Sequence, residues 1–75
     1  MKLDLHSVKH DDVPREVIRF IEENLYSEQD LEIVTGNSFK MQEIVVDILD
    51  EYMLEYRIGG WLGFNKGFIK IYMGA

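Results

Sequence analysis

The stretch Lys2-Leu3-Asp4-Leu5-His6-Ser7 organises the chain, because it alternates apolar and polar residues as a strand does. Successive strand side chains point to opposite faces of a sheet, so we expect Leu3 and Leu5 on one face. Asp4 and His6 are expected on the other. The apolar face can join a core, whereas the polar face brings a carboxylate close to an imidazole. The stretch therefore indicates a candidate site where the first strand runs into a polar turn.

Length and composition predict one small domain over residues 1–75. Hydrophobic residues make up 47% of the chain and the mean hydropathy is −0.14, values typical of a globular protein. The chain contains no cysteine, so the core must form without disulfides or a thiolate zinc site. No apolar run approaches the ~20 residues that cross a bilayer, and the start does not resemble a signal peptide. We therefore expect a cytoplasmic protein with no membrane partner.

The net charge of −6 argues against broad, non-specific attraction to nucleic acid. The charges are unevenly distributed, because ten of the fourteen acids lie in or directly beside the two predicted helices, and the chain from Tyr56 onward has three cations and no acid. Solubility of the helical surface is the favoured interpretation of this asymmetry, and a binding face is the alternative.

Hydrophobic spacing predicts two amphipathic helices separated by short strands. The first helix is expected from about Asp12 to Leu25, with Pro14 in its first turn, and the second from about Phe39 to Leu54. Ser38 is a plausible N-cap of the second helix. The apolar stripes expected to face the core are Val13, Val17, Ile18, Phe20, Ile21 and Leu25 in the first helix, and Met41, Ile44, Val45, Ile48, Leu49, Tyr52 and Met53 in the second.

Three further strands follow from short β-branched or alternating runs, at 31–35, 56–58 and 68–73, giving the order β-α-β-α-β-β. Right-handed crossovers would place both helices on the same face of the sheet. The predicted fold is an α/β, or α+β, two-layer sandwich whose other sheet face is open. Asp4, His6, Lys70 and Tyr72 are expected on that open face.

A phosphate site is expected where the first two strands end. If these strands are parallel neighbours, their carboxyl ends meet at one edge of the sheet. His6 and Ser7 would then lie near the Thr35-Gly36-Asn37-Ser38 turn. That turn also opens the second helix, whose free N–H groups favour an anion, and Lys40 adds a positive charge.

Two motifs in these segments resemble the small MutS-related (Smr) domain family. Leu3-Asp4-Leu5-His6-Ser7 resembles the family's Leu-Asp-Leu-His-Gly signature, and Ile33-Val34-Thr35-Gly36 before a helix is similar to its Thr-Gly-x-Gly motif. The resemblance extends from Leu3 to Met73 in length and element order. Ser7 and Ser38 stand where the family has glycine, so the approach of the backbone to a phosphate is expected to differ.

The resemblance implies a fold like the C-terminal domain of translation initiation factor 3. Its sheet would have the strand order 1-2-4-3, with the fourth strand antiparallel. The resemblance also implies nucleic-acid nicking or RNA cleavage, found in some members, in which Asp4 and His6 occupy the important positions of the first motif. A nuclease of this kind would be an endonuclease that either hydrolyses a phosphodiester of DNA or cleaves RNA.

The hypothesis for the chemistry makes His6 the general base or acid, with Asp4 orienting it or holding its charged form, and the segment from Gly36 to Lys40 steadying the phosphate. RNA supplies its own 2′-hydroxyl nucleophile and needs no metal. One aspartate and one histidine are a poor metal-ligand set, so a divalent cofactor is possible but not indicated. His10 is expected to be a solvated residue rather than a second proton carrier.

Two alternatives remain open at this point. Asp4 and His6 could be an ordinary hydrogen-bonded pair on an exposed sheet face, and the whole domain could be a non-catalytic protein-interaction module of the same fold. The aromatic residues of the C-terminal part either stack on unpaired bases or, as the favoured interpretation, complete the core. These aromatic residues are Trp61, Phe64, Phe68 and Tyr72.

Overall fold

The computed structural model describes residues 1–59 and 67–73. Two of the aromatic residues considered above, Trp61 and Phe64, lie outside these ranges. The elements, in chain order, are β1 (Lys2–Asp4), a 3₁₀ turn (His10–Asp12), α1 (Val13–Glu23), β2 (Leu31–Val34), α2 (Phe39–Glu51), β3 (Glu55–Ile58) and β4 (Phe68–Tyr72).

The four strands form one mixed sheet with the order β1-β2-β4-β3. β1 runs parallel to β2, while β4 runs antiparallel to both β2 and β3. The predicted two-layer α+β arrangement, its strand order and the antiparallel fourth strand are thereby confirmed. β1 and β3 are the two edges of the sheet.

The core lies between one face of this sheet and the two helices. Leu31 and Ile33 alternate with half-buried residues along β2, as Ile69 and Ile71 do along β4, so one face of these two central strands is fully covered. Burial of apolar surface on this scale is the main force that holds so small a domain together. The buried cluster consists of Leu5, Val13, Val17, Phe20, Ile21, Leu31, Ile33, Met41, Val45, Ile48, Leu49, Ile69 and Ile71.

Helix α1 ends two residues before the predicted boundary. The side-chain amide of Asn24 donates a hydrogen bond to the carbonyl of Phe20 at 2.7 Å and satisfies one of the free carbonyls of the last turn. Leu25, predicted to face the core, lies beyond this end and is 40% exposed, and Ile18 is exposed to the same extent. The covered stripe of α1 is therefore narrower than the sequence pattern predicts.

Helix α2 begins at the predicted residue, Phe39, but ends at Glu51, three residues before the predicted end at Leu54. The Ser38 hydroxyl accepts a hydrogen bond from the Met41 N–H at 3.1 Å, which confirms the predicted N-cap. At the other end, the N–H of Leu54 donates to the Leu49 carbonyl and that of Met53 to the Asp50 carbonyl, the two bonds of a Schellman motif. Met53 takes a φ of 57° there and is 89% exposed, so its predicted place on the buried stripe is wrong.

The first two strands are shorter than predicted. β1 ends where the His6 N–H donates to the Asp4 carboxylate, and β2 ends where the N–H groups of Thr35 and Gly36 both donate to the Gly67 carbonyl. The Leu5 N–H still donates to the Val34 carbonyl at 2.8 Å, but β1 itself ends at Asp4, before the predicted end at His6. β2 ends at Val34, one residue before Thr35. None of the helices in residues 1–59 and 67–73 is long and apolar enough to cross a membrane.

Candidate functional site

A shallow cavity of about 350 Å³ lies on the open face of the sheet, where β1 and β2 end. Its walls come from both strand ends and from the start of β4. Because β1 and β2 are parallel neighbours, with Asp4 beside Val34, the segments that follow them leave the sheet at the same edge. The lining residues are Lys2, His6, Glu32, Val34, Gly36, Asn37, Gly67 and Phe68.

His6 is held at this cavity by Asp4. The Asp4 carboxylate accepts a hydrogen bond from the main-chain N–H of His6 at 2.9 Å. Such a bond two residues along the chain favours a turn over a continued strand. The bond ends on the main chain of His6 rather than on its ring, so Asp4 fixes where the residue sits and leaves the exposed imidazole free to meet a ligand.

Gly36 and Asn37 form the facing wall. Gly36 has a φ of 68°, a left-handed conformation that glycine adopts without strain, and it turns the chain away from β2. A side chain at this position would meet open space, so the backbone conformation rather than crowding requires glycine. The sequence-based expectation that His6 and this turn come together agrees with the cavity that they share.

The main-chain N–H groups of Thr35 and Gly36 are used within the protein. Both donate to the carbonyl of Gly67, each at 2.9 Å. The Thr35 hydroxyl, which is buried, lies 2.9 Å from the Gly36 carbonyl and 3.3 Å from that of Gly67. These bonds tie the turn after β2 to the start of β4. Thr35 and Gly36 therefore shape the cavity instead of offering these amides to a phosphate.

The other residues predicted for the phosphate do not line the cavity. The Ser38 hydroxyl is occupied by the helix cap, while Ser7 and Lys40 are exposed and are not among the lining residues. Asp4 also contributes through the turn rather than through the wall. Of the predicted set, His6, Gly36 and Asn37 are the three residues that the structure brings together around one space.

A row of charged side chains crosses the open face beside the cavity. Strand pairing aligns Lys2 with Glu32, Glu32 with Lys70, and Lys70 with Arg57. The Lys2 ammonium lies 3.6 Å from the Glu32 carboxylate, and the Lys70 ammonium lies 3.8 Å from Asp30. The row brings cations from three strands to one surface, with carboxylates interleaved among them.

Aromatic rings flank this row on β4. Phe68 lines the cavity beside His6, and the Tyr72 ring lies 5.8 Å from the Lys70 ammonium, within the range of a cation–π contact. Both rings are half-buried and belong to the open face, in agreement with the predicted alternation of β4. The favoured expectation that they complete the core is wrong for these two residues, because the buried side chains of β4 are its isoleucines.

Lys2, Glu32, Val34 and Phe68 are cavity residues that sequence reasoning did not assign to the site. The alternation of side chains along a strand could have identified three of them, because Lys2 shares the face of Asp4, and Glu32 and Val34 alternate with the buried residues of β2. Phe68 could not be placed at the cavity from a local sequence pattern, because its position there depends on the long-range pairing of Phe68 with Val34. No group of three or more histidine, aspartate or glutamate side chains placed to hold a metal occurs in residues 1–59 and 67–73.

Comparison of the chain with protein-family models, with curated proteins and with solved structures finds no match.

Proposed function

We propose that this chain is an Smr-like nucleic-acid-binding domain that cleaves RNA at the cavity beside His6. The observation that supports the proposal most directly is the shared wall formed by His6 and the Gly36–Asn37 turn. A histidine at the carboxyl ends of parallel strands, in an open cavity with a lysine on its rim, is suited to a phosphodiester.

The chemistry proposed for RNA needs no metal. His6 removes the proton of the 2′-hydroxyl, whose oxygen attacks the adjacent phosphorus. The bond from phosphorus to the 5′ oxygen breaks, and the leaving oxygen takes a proton from water. The hydroxide left by that water takes the proton held by His6, which restores the base. The products are a 2′,3′-cyclic phosphate and a free 5′-hydroxyl. A positioned general base contributes about 10²–10⁴-fold to such a reaction.

Asp4 acts as a positioning residue in this proposal. Its hydrogen bond to the His6 N–H holds the turn that presents the imidazole. The Asn37 side chain, which is exposed on the cavity wall, can donate to a phosphate oxygen, and Lys2 supplies positive charge. The Phe68 ring at the same cavity offers a base an apolar face.

The alternative is a non-catalytic protein-interaction module, which the net charge of −6 favours. A strongly acidic chain repels the phosphate backbone except where cations are gathered locally, whereas it suits a basic protein partner.

Binding to a panel of nucleic acids tests the proposal. Labelled single-stranded RNA, duplex DNA and branched DNA are each incubated with the protein at low salt, with and without magnesium, and binding and cleavage are followed in parallel. We expect binding and metal-independent cleavage of single-stranded RNA. Absence of binding to every substrate would contradict the proposal and would leave the interaction module as the explanation of the fold.

A further inference from the structure

The edge strand β3 carries two opposite charges placed symmetrically about one residue. Glu55 and Arg57 are both exposed, and they flank Tyr56 in the strand. Their side chains belong to the open face of the sheet, because Glu55 pairs with Tyr72 of β4 and Arg57 pairs with Lys70. In the part of the chain that the structure describes, β3 pairs with β4 alone, so its outer edge has no strand beside it.

Arg57 lies next to a like charge within its own sheet. Strand pairing sets it directly opposite Lys70, and like charges opposite each other in a sheet are unfavourable. Lys70 in turn lies 3.8 Å from the Asp30 carboxylate. Among residues 1–59 and 67–73, neither Arg57 nor Glu55 forms an ion pair. β3 therefore holds one exposed charge of each sign that a further strand could meet.

The main chain of β3 determines which residues can bond to such a strand. The Gly59 N–H donates to the Phe68 carbonyl at 2.8 Å, just beyond the pairing of Ile58 with Ile69. In an antiparallel ladder, residues that bond to the neighbouring strand alternate with residues whose N–H and C=O groups point away from it. The outward-pointing residues of β3 are therefore Tyr56 and Ile58.

A second β3 strand could pair antiparallel with this edge about a twofold axis, provided that outward-pointing residues meet each other. With the axis at Tyr56, the main-chain groups of Tyr56 bond to those of Tyr56 in the second copy. Glu55 of each copy then lies opposite Arg57 of the other, in the close pairs of the ladder where side chains approach most nearly. With the axis at Arg57, two arginines would instead lie opposite each other and repel. Charge therefore selects the register centred on Tyr56.

We infer that a second copy of this chain binds the outer edge of β3, in an antiparallel pairing centred on Tyr56 that continues the sheet across both copies. Charged side chains on an edge strand usually deter such pairing, because copies that carry like charges there repel each other. In β3 the twofold axis converts one acid and one base into two complementary pairs. The same register covers Ile58, whose side chain is 39% exposed, with Leu54 of the second copy.

The inference does not rest on RNA cleavage. β3 and β1 form opposite edges of the sheet, and His6 follows β1. Pairing at β3 would therefore leave the His6 cavity of each copy at the far side of its own sheet. A dimer and a cleavage activity can each be present or absent without the other.

Sedimentation of the full chain over a concentration series, up to about 1 mM, tests the inference. We expect a monomer–dimer equilibrium. Glu55→Arg and Arg57→Glu each place like charges opposite each other at both pairs, so each should weaken the dimer about tenfold or more. The matched control is Glu28→Arg, which makes the same charge change at an exposed residue outside β3 and should leave the dimer unchanged.

Mixing the two variants separates this register from other modes of association. In a mixed pair, the arginines of Glu55→Arg face the glutamates of Arg57→Glu at both positions, so the mixture should form a heterodimer about as tight as the wild-type dimer. The double variant, with both substitutions in one chain, should likewise form a dimer with itself.

Circular dichroism establishes that each variant is folded before it is sedimented. A wild-type protein that stays monomeric at every concentration would overturn the inference. Single variants that dimerise as the wild type does, or a mixture and a double variant that both stay monomeric, would overturn it as well.

Discussion

The carboxylate of Asp4 accepts a hydrogen bond from the main-chain N–H of His6, at 2.9 Å. This bond ends β1 and turns His6 into the cavity that it shares with the loop after β2. The proposed site thus depends on Asp4 as a hydrogen-bond acceptor, and the negative charge of its side chain is secondary.

Two substitutions of Asp4 separate these roles. Asparagine keeps a side-chain oxygen that can accept the His6 N–H, whereas alanine removes it. We predict that Asp4→Asn retains most of the RNA-cleavage rate, while Asp4→Ala loses most of it and costs about 1 kcal/mol of stability. Single-turnover cleavage and urea unfolding measure the two effects. If Asp4→Asn were as inactive as Asp4→Ala, the carboxylate charge would be the essential feature.

Glu32 places a negative charge in a cavity that is proposed to hold a phosphate. Its ion pair with Lys2, with 3.6 Å between the charged groups, is exposed and contributes at most about 1 kcal/mol to stability. We predict that Glu32→Gln tightens the binding of single-stranded RNA with little change in stability. Lys2→Gln should weaken binding and lower the slope of log affinity against log salt by about 0.7. An unchanged salt slope in Lys2→Gln would place the phosphate elsewhere.

Met53 occupies the left-handed position at the end of α2, with a φ of 57°. A residue other than glycine pays about 1–2 kcal/mol for this conformation, and the methionine side chain, being exposed, contributes little packing in return. We predict that Met53→Gly raises the free energy of unfolding by about 1 kcal/mol, offset in part by the flexibility of glycine in the unfolded chain. Met53→Ala, which keeps the strain, is the control and should show no gain in denaturant unfolding.

Tyr56 makes stability depend on alkaline pH. Burial, and then the hydrogen bond and charge of Asp50, raise the pKa of its phenol above the ordinary value of 10.0. The folded state therefore holds the phenolic proton more tightly than the unfolded state does, and this stabilisation is present below pH 10.0 and is lost as pH rises through the folded-state pKa. As the pH rises above 10.0, we predict that the free energy of unfolding falls more steeply in the wild type than in Tyr56→Phe. Parallel pH profiles of the two proteins would contradict this linkage.

Most of the fold could be predicted because its periodic patterns are strong. The alternation of Leu3 and Leu5 with Asp4 and His6 predicted the covered face of the first strand, and Lys70 and Tyr72 were expected on the open face, opposite the buried isoleucines of β4. The strand order was expected from the Smr resemblance alone, and the observed order agrees with it. Element ends were less predictable, since a Schellman motif at Met53 depends on backbone geometry rather than on hydrophobicity.

The candidate site could be predicted in part. The motif spacing indicated that His6 and the Gly36–Asn37 turn meet, because parallel strand ends share an edge. The contribution of Gly67, which accepts both N–H groups of the turn after β2, depends on a contact across 31 or more positions of the chain. Val46 also had no role in the helical pattern, yet it lines a small apolar cavity together with Phe39 of α2 and Ile58 of β3.

Cleavage of single-stranded RNA by His6→Ala tests the central claim most directly. His10→Ala is the matched control, because His10 is exposed in the 3₁₀ turn and does not line the cavity. With both variants shown to be folded by circular dichroism and thermal unfolding, we expect His6→Ala to lose about 10²–10⁴-fold in rate and His10→Ala to match the wild type. A folded His6→Ala variant that cleaves RNA at the wild-type rate would contradict the account.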